Sequence, residues 1–304
     1  MKKLPISQPL FACMPMDANI QAILLPHDEM KSWVLSQFVS LWACDDTQED
    51  FFVYFVNPDY WFGCPYLFTE ELHKSLILGT NNNIIDFIKN CIDRDTYIIP
   101  AVDRYYIPAC NSEIHCFHEC LIYGYDDAKE ILYFADFCPK YSFTTCTYKE
   151  FKLAFYEHKN YFDWSNVVRF AKYDSKREHP KFEICLTTNL DFTVLLNLLY
   201  DYRDGINSQL RYHIKQEYGD YFSFRYGGLR IYEKFEEHLL KCFSQETQIR
   251  IKVFYLLKAH KLIMKERLEY FESQCGIDFS ISLSNCNKLI QDADILLSLI
   301  LKYN

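Results

Sequence analysis

One segment, residues 114–136 (IHCFHECLIYGYDDAKEILYFAD), constrains the fold more than any other part of the chain. It begins with an apolar run that carries His118, turns at Asp126–Lys129, and continues into a second apolar run that ends at Asp136. Two apolar runs joined by a polar turn are typical of a β-hairpin. We therefore expect an antiparallel sheet with His118 on one strand and Asp136 on the next.

Cys13 lies far upstream, before Pro15 and a short apolar segment, Asp17–Leu25, that we predict to be helical. A thiol at the amino terminus of a helix has its thiolate stabilised by the helix dipole and by unpaired N–H groups. A histidine that accepts the thiol proton, and an acid that orients the imidazole, then complete a nucleophilic site. Cys13, His118 and Asp136 occur in that order, so we predict a Cys-His-Asp catalytic triad.

The length of the hairpin loop tests this triad. Side chains alternate between the two faces of a strand, so the pairing register decides whether His118 and Asp136 share a face. A five-residue loop, Tyr125–Lys129, places them directly opposite one another, and a three-residue loop, Asp126–Ala128, has the same parity. A four-residue loop places them on opposite faces. The triad therefore requires an odd loop or a bulge.

The string His118-Glu-Cys-Leu-Ile-Tyr-Gly-Tyr-Asp126, followed by Asp136, resembles the H-x-x-x-V-x-G-Y/I-D…D pattern of C39-like, papain-fold peptidases. It is more similar still to relatives from biosynthetic clusters, of the butirosin biosynthesis protein H N-terminal type. That group includes an acyltransferase acting on a carrier-protein thioester and an amide synthase of closthioamide assembly. The resemblance covers residues 1–160. It implies an α+β, papain-like fold with an antiparallel sheet and a nucleophile helix near the amino terminus.

The same resemblance implies an oxyanion donor. C39-type peptidases usually carry a glutamine six residues before the cysteine, whereas here Gln8 lies five residues before Cys13. Gln8 is nevertheless the predicted donor, together with the backbone N–H of Cys13. The residue after the cysteine also differs from the family pattern, since Met14 replaces the usual glycine.

In function, the resemblance implies an amide-forming acyltransferase of secondary-metabolite biosynthesis. The acyl group would arrive as a 4′-phosphopantetheine thioester on a carrier protein and pass through acyl-Cys13 to a small amine, with no cofactor or metal of the protein's own. A C39-like cysteine peptidase with the same triad is the alternative, although such peptidases are generally fused to membrane transporters. A non-enzymatic binding protein that keeps the fold is a third possibility, which the presence of all three triad residues disfavours.

Composition excludes several other classes. A net charge of −9 argues against a nucleic-acid binder. The chain contains no run of about eighteen uncharged apolar residues, so we expect no membrane span. Without export, many free thiols indicate a reducing, cytoplasmic location. Thirteen cysteines in 304 residues are too few for a disulfide scaffold. Leu10–Cys13 follows Lys2-Lys3 as in a lipoprotein signal, but the intervening segment is short and contains Pro5 and Pro9, which predicts no export.

We divide the chain into a catalytic domain, residues 1–172, and a mostly helical domain, residues 173–304, with a polar linker over residues 172–181 (KYDSKREHPK). Within the first domain, Thr69 is a good N-cap residue and predicts a helix over Thr69–Leu78. In the second domain, apolar residues at helical spacing predict four helices, at residues 191–199, 229–242, 247–271 and 283–301.

Several residues have competing interpretations. His115 is a rival of His118, but in an extended strand the two point to opposite faces, and the spacing to Gly124 favours His118. Cys116, His118 and Cys120 share a strand face, although ligands at that spacing splay too far apart to close a tetrahedral metal site easily.

Two longer segments also allow two interpretations each. Residues 100–106 combine aromatic and polar side chains, which suits a substrate cleft or, as we favour, a structural sheet edge. A basic helix between Arg250 and Arg267 is by default a solvated face, and the functional alternative is docking of an acidic carrier protein.

Overall fold

A computed structural model describes residues 1–45, 51–55, 64, 66–80, 83–157, 163–176, 192–206 and 226–303. Contacts divide the chain into two compact units. The first comprises Met1–Asp28 and Trp61–Cys185, and the second comprises Glu29–Tyr60 and Leu186–Asn304. Both units combine helices with antiparallel strands, so the predicted α+β class is confirmed at that level.

The strands are, in chain order, β1 (Lys2–Lys3), β2 (Leu41–Asp45), β3 (Phe51–Phe55), β4 (Leu67–His73), β5 (Tyr97–Asp103), β6 (Phe117–Glu119), β7 (Leu121–Asp126), β8 (Ile131–Phe137), β9 (Tyr141–Thr147), β10 (Val167–Tyr173) and β11 (Tyr226–Gly227). The helices are α1 (Pro15–Leu24), α2 (Lys31–Ser36), α3 (Lys74–Thr80), α4 (Ile84–Asp93), α5 (Tyr148–Tyr156), α6 (Phe192–Asp204), α7 (Ile231–Phe243), α8 (Ile251–Cys275) and α9 (Ser280–Tyr303).

An antiparallel sheet organises the first unit. Its strands run in the order β4-β10-β5-β7-β8-β9, while β1 pairs with β7 and β6 pairs with β5. The central strand β5 (YIIPAVD) is buried at all seven positions. Strands covered on both faces read as continuous apolar runs rather than alternating ones, as this one does. Strand β6, which carries His118, pairs with the carboxy-terminal part of this buried strand and is therefore rigidly supported.

Local sequence signals account for where the helices of this unit begin. Pro15 occupies the first turn of α1, where its missing N–H costs nothing. The Asn83 side chain caps α4 by accepting a hydrogen bond from Ile85 N. Thr147 and Glu150 form a reciprocal capping box at the start of α5.

One helix prediction is wrong at its start. Residues 69–73 belong to strand β4, and helix α3 begins only at Lys74. The whole length of β4 pairs with β10, from Leu67 opposite Tyr173 to His73 opposite Val167. Sheet pairing with a neighbouring strand therefore outweighs the local helix-start signal at Thr69.

The second unit contains a smaller antiparallel sheet, β11-β2-β3, and long helices, of which α8 and α9 pack against one another. The four helices predicted for the carboxy-terminal half are confirmed as α6 to α9, with small shifts at their ends. None of the helices in the described residues is both long enough and apolar enough to cross a membrane.

The two compact units differ from the two predicted domains, residues 1–172 and 173–304. Residues 29–60 join the carboxy-terminal unit, because buried side chains of α8 bond to their backbone. Arg267 donates hydrogen bonds to the carbonyls of Leu35 and Gln37, and His260 Nε2 lies 2.9 Å from the carbonyl of Val39. The predicted linker begins inside β10, and its residues 177–181 lie outside the described part of the chain.

Candidate active site

The hairpin β7–β8 sets the face on which the candidate acid lies. Asp126 pairs with Ile131, which leaves a four-residue connection, so the five-residue loop Tyr125–Lys129 is not what forms. A β-bulge between Ile122 and Gly124 then shifts the register by one residue. The bulge reverses the parity of the even loop and returns His118 and Asp136 to a common face. The sequence analysis required either an odd loop or a bulge, and the structure has the bulge.

His118 and Asp136 form a hydrogen-bonded pair. Nδ1 of His118 lies 2.6 Å from Oδ1 of Asp136. The Asp136 side chain is 1% exposed, whereas the imidazole of His118 is 23% exposed. A carboxylate bonded to Nδ1 selects the tautomer that carries its proton there, which leaves Nε2 as the basic nitrogen. The pair therefore has the orientation that a general base requires.

Arg104 is a further partner of Asp136 that the sequence analysis did not assign to the site. Its Nε lies 3.7 Å from Oδ2 of Asp136, and its guanidinium donates a hydrogen bond to the carbonyl of Phe137. Oδ2 is buried and has no hydrogen-bond partner among the described residues, so the charge of Arg104 compensates it at a distance. The interpretation of residues 100–106 as a purely structural sheet edge missed this contact. An arginine directly after the buried strand β5 was the available signal.

Cys13 is half-buried and lies two residues before α1. Helix α1 packs against β6 and β8, the strands that carry His118 and Asp136. The segment before Cys13 is held by the fully buried Gln21, whose Oε1 accepts a hydrogen bond from Leu10 N at 3.1 Å. The structure thus joins His118 to Asp136 directly, and it packs the helix that follows Cys13 against both of their strands.

Gln8 has an exposed side chain in the segment that precedes Cys13. An exposed amide is not held in one orientation, whereas an oxyanion donor acts by being fixed in advance. The glutamine with fixed contacts in this region is Gln21, which also donates to the carbonyl of Asp17 at 2.9 Å. The predicted role of Gln8 therefore has no contact in the described residues to support it.

A second histidine–aspartate pair lies close by in sequence. Nδ1 of His115 is 2.6 Å from Oδ2 of Asp103, and Oδ1 of Asp103 accepts hydrogen bonds from Tyr105 N and Cys116 N. The His115 side chain is 58% exposed and lies against the ring of Tyr105, with centroids 4.3 Å apart. His115 is thus more open to solvent than His118.

Several other cysteines are unsuited to act as nucleophiles. Burial raises the pKa of the Cys91 thiol to about 11. Burial also raises the pKa of Cys120 well above its usual value, and it raises the pKa of the Cys146 thiol. Thiols of this kind stay protonated near neutral pH, and the thiolate is the reactive form.

A different group of possible metal ligands is present at the end of β8. Cys110, Asp136 and Cys138 have ligand atoms within 4.8 Å of one another. The two sulfurs are joined as a disulfide, a feature that the sequence analysis did not predict. Sequence spacing gave no signal for this pair, because the two cysteines are separated by 28 positions and the chain between them folds back through β6, β7 and β8.

No protein-family model matches this chain, and no curated protein matches its sequence. The chemistry of the site therefore rests on the residues and distances given above. Among these, the His118–Asp136 pair and its position relative to α1 are the features that a functional interpretation must explain.

Proposed function

We propose that this protein is a cysteine-dependent acyltransferase that makes an amide through an acyl-Cys13 intermediate. The observation that carries the proposal is the 2.6 Å bond between His118 and Asp136, on strands that contact the helix following Cys13. The order Cys13, His118, Asp136, an antiparallel sheet and a nucleophile helix near the amino terminus are together typical of a papain-like fold. We propose that the first unit adopts this fold.

In the first half-reaction, the Cys13 thiol gives its proton to Nε2 of His118. The Cys13 sulfur attacks the carbonyl carbon of a thioester, and a tetrahedral oxyanion forms. The bond to the leaving sulfur then breaks, and the phosphopantetheine thiol departs with the proton from His118. The acyl group remains on Cys13 as a new thioester, so no oxidant or energy source is consumed.

In the second half-reaction, an amine attacks the acyl-Cys13 carbonyl. His118 takes a proton from the amine nitrogen, and the bond between the carbonyl carbon and the Cys13 sulfur breaks. Cys13 leaves as a thiolate, and the product is an amide. Asp136 stabilises the imidazolium formed in each half-reaction, and Arg104 holds the Asp136 segment through the Phe137 carbonyl. The backbone N–H of Cys13 is the proposed oxyanion donor, since the exposed side chain of Gln8 is not held in place.

A row of half-buried aromatic rings lies beside the His118–Asp136 pair. These rings favour a substrate whose acyl group is apolar or aryl. The ring of Phe137 lies 5.8 Å from that of His118, Tyr141 lies 5.4 Å from Phe137, and Phe143 lies 6.3 Å from Tyr141. Rings that are only partly buried have apolar surface available for a ligand. They also help to exclude water, which would otherwise hydrolyse acyl-Cys13.

The proposed acyl donor is a phosphopantetheine thioester on a carrier protein. The basic segment between Arg250 and Arg267, in helix α8, is a weaker docking surface for such a carrier than its sequence suggests. Arg267 is buried and bonded to backbone carbonyls, so it is not on a surface. Lys258 is paired with Asp294, and Lys265 with Glu269. Lys258 and Lys265, being already paired, offer less charge to an acidic partner.

The proposal is tested by offering the protein a pantetheine thioester of an aryl acid together with a primary amine, and measuring amide and free acid by mass spectrometry. We expect amide formation that is lost in Cys13→Ala and kept in Cys275→Ala, since Cys275 is exposed at the end of α8. Cleavage of peptides by Cys13, without amide formation, would instead establish the peptidase alternative. Full amide formation by Cys13→Ala contradicts both enzymes.

A further inference from the structure

Two loops next to the candidate active site are joined by a disulfide between Cys110 and Cys138. Cys110 ends the 3-10 turn Pro108–Cys110, and its N–H donates to the carbonyl of Ile107 at 2.9 Å. Cys138 follows the last residue of β8, and its N–H donates to the carbonyls of Asp136 and Lys140. The bond thus connects the segment after β5 to the turn between β8 and β9.

The disulfide also lies beside the Asp136 carboxylate. The sulfurs of Cys110 and Cys138 and a carboxylate oxygen of Asp136 lie within 4.8 Å of one another. Arg104, six residues before Cys110, approaches Oδ2 of the same carboxylate, and His118 bonds to Oδ1. Any separation of the two loops therefore moves Asp136 relative to the groups that hold it.

We propose that Cys110 and Cys138 form a redox-responsive pair whose disulfide holds Asp136 against His118, and whose reduction lowers the reactivity of Cys13. The effect on Cys13 rests on the function proposed above, whereas the redox chemistry of the pair does not. The reaction partner is a low-molecular-weight or protein disulfide, or the corresponding thiol.

The chemistry is thiol–disulfide exchange. In oxidation, one thiolate of the reduced pair attacks an external disulfide, forms a mixed disulfide and releases one external thiol. The second thiol of the pair then displaces the second external thiol. Two electrons pass from the pair to the external disulfide, and two external thiols form. Cys138 is half-buried, whereas Cys110 is 4% exposed, so external reagents reach the Cys138 sulfur first.

A metal site made from the same three residues is disfavoured by their neighbours. Oδ1 of Asp136 already accepts hydrogen bonds from His118 Nδ1 and Phe137 N, both at 2.6 Å. The guanidinium of Arg104 lies 3.7 Å from Oδ2. A metal cation bound there would be repelled by this positive charge and would compete with the catalytic histidine.

The first test maps the disulfide in the full-length protein. The protein is equilibrated in buffers with graded ratios of reduced to oxidised glutathione, its thiols are blocked with N-ethylmaleimide, and its peptides are mapped by mass spectrometry. We expect Cys110 and Cys138 to become blocked together as the buffer becomes more reducing, while a peptide linking them disappears. Blocking of both residues in every buffer overturns the proposal. Protection of both thiols by added Zn²⁺, without the linked peptide, overturns it in favour of a metal site.

The second test measures the alkylation rate of Cys13 by a chloroacetamide in oxidising and reducing buffers. We expect reduction to slow this rate roughly 10–100-fold, since misplacement of a catalytic group by about 1 Å has effects of that size. A double Cys110→Ser, Cys138→Ser variant should be slow in both buffers, and Cys275→Ser should behave as the wild type. Equal wild-type rates in the two buffers overturn the proposal. The disulfide map needs no substrate, so failure of the proposed acyl transfer remains distinguishable from failure of the redox pair.

Discussion

The hydroxyl of Tyr141 donates a hydrogen bond of 2.9 Å to Oδ1 of Asn19. Asn19 lies on α1, the helix that follows Cys13, and Tyr141 pairs across β8–β9 with Phe137, the neighbour of Asp136. Burial raises the pKa of Tyr141, and the charge of Asp136 raises it further, so the hydroxyl keeps its proton and remains a donor. This bond ties α1, the helix that follows Cys13, to the strand pair that carries Asp136.

Replacing Tyr141 by Phe should therefore weaken both the fold and the site. The change leaves Oδ1 of the buried Asn19 without a donor, at a cost of about 1–3 kcal/mol in the free energy of unfolding. Urea unfolding measures this cost, and chloroacetamide alkylation of Cys13 measures the effect on the site. Tyr148→Phe is the matched control, because that hydroxyl bonds to Asp127 at an exposed position. Equal stability losses in the two variants would contradict a linking role for Tyr141.

The two histidine–aspartate pairs provide a second prediction. His118→Asn should reduce kcat for amide formation by roughly 10²–10⁴-fold, which is the usual contribution of a general base. His115→Asn removes an imidazole with the same 2.6 Å bond to a buried aspartate, but at a more exposed position, and should leave kcat within a few-fold of the wild type. A larger loss in His115→Asn than in His118→Asn would reverse the assignment of the base.

We expect Arg104 to affect the reaction by holding Asp136 in place, and not by binding the substrate. Arg104→Gln removes the cation beside the buried Oδ2 atom and the donor to the Phe137 carbonyl, and we expect a loss of about 1–3 kcal/mol in the free energy of unfolding. Because Asp136 is then held less firmly, kcat should fall while KM for the thioester changes little. A rise in KM at constant kcat would show that Arg104 binds substrate instead.

Lys74 supplies a prediction about pH. Its ammonium is buried, bonds to the carbonyl of Phe155 and lies over that ring, and burial lowers its pKa from 10.5 to about 8. Between pH 8 and 10.5 the unfolded chain therefore binds more protons at this residue than the folded chain, so its contribution to stability rises with pH in that window. Below pH 8 the buried charge costs the fold on the order of 3 kcal/mol.

Lys74→Met tests this sign. The variant should be more stable than the wild type at pH 7, and its advantage should shrink as the pH approaches 10.5. Comparing urea unfolding of the two proteins at each pH cancels the contributions of other titrating groups. A stability difference that does not depend on pH would show that Lys74 has the same pKa in the folded and the unfolded protein, and would contradict the lowering of its pKa by burial.

The hairpin shows what the sequence can predict about this site. The alternation of side chains required an odd loop or a bulge, and that condition follows from strand geometry alone. Which of the two occurs depends on how the backbone near Gly124 packs. A Cβ built on Gly124 would lie 2.6 Å from the carbonyl oxygen of Lys2, so the close approach of β1 is a long-range feature. Sequence spacing within the hairpin carries no information about it.

Other features depend on contacts between distant segments and were therefore missed. Thr69 is a good N-cap residue for a helix, but it pairs with Ala171 of the distant strand β10 and therefore lies in the sheet. Arg104 and Cys110 reach the Asp136 segment only because the chain between them and β8 folds back. Local residue patterns predict helix and strand positions well, whereas these cross-chain contacts are set by tertiary packing.

The measurement that tests the central claim most directly is the intact mass of the protein after incubation with an acyl-loaded carrier protein, with and without an amine. We expect a mass increase equal to the acyl group, located on Cys13 by peptide mapping and discharged by the amine to release an amide. The increase should be absent in Cys13→Ala and much slower in His118→Asn. An acyl group carried on another residue, or full amide formation without Cys13, would contradict the account.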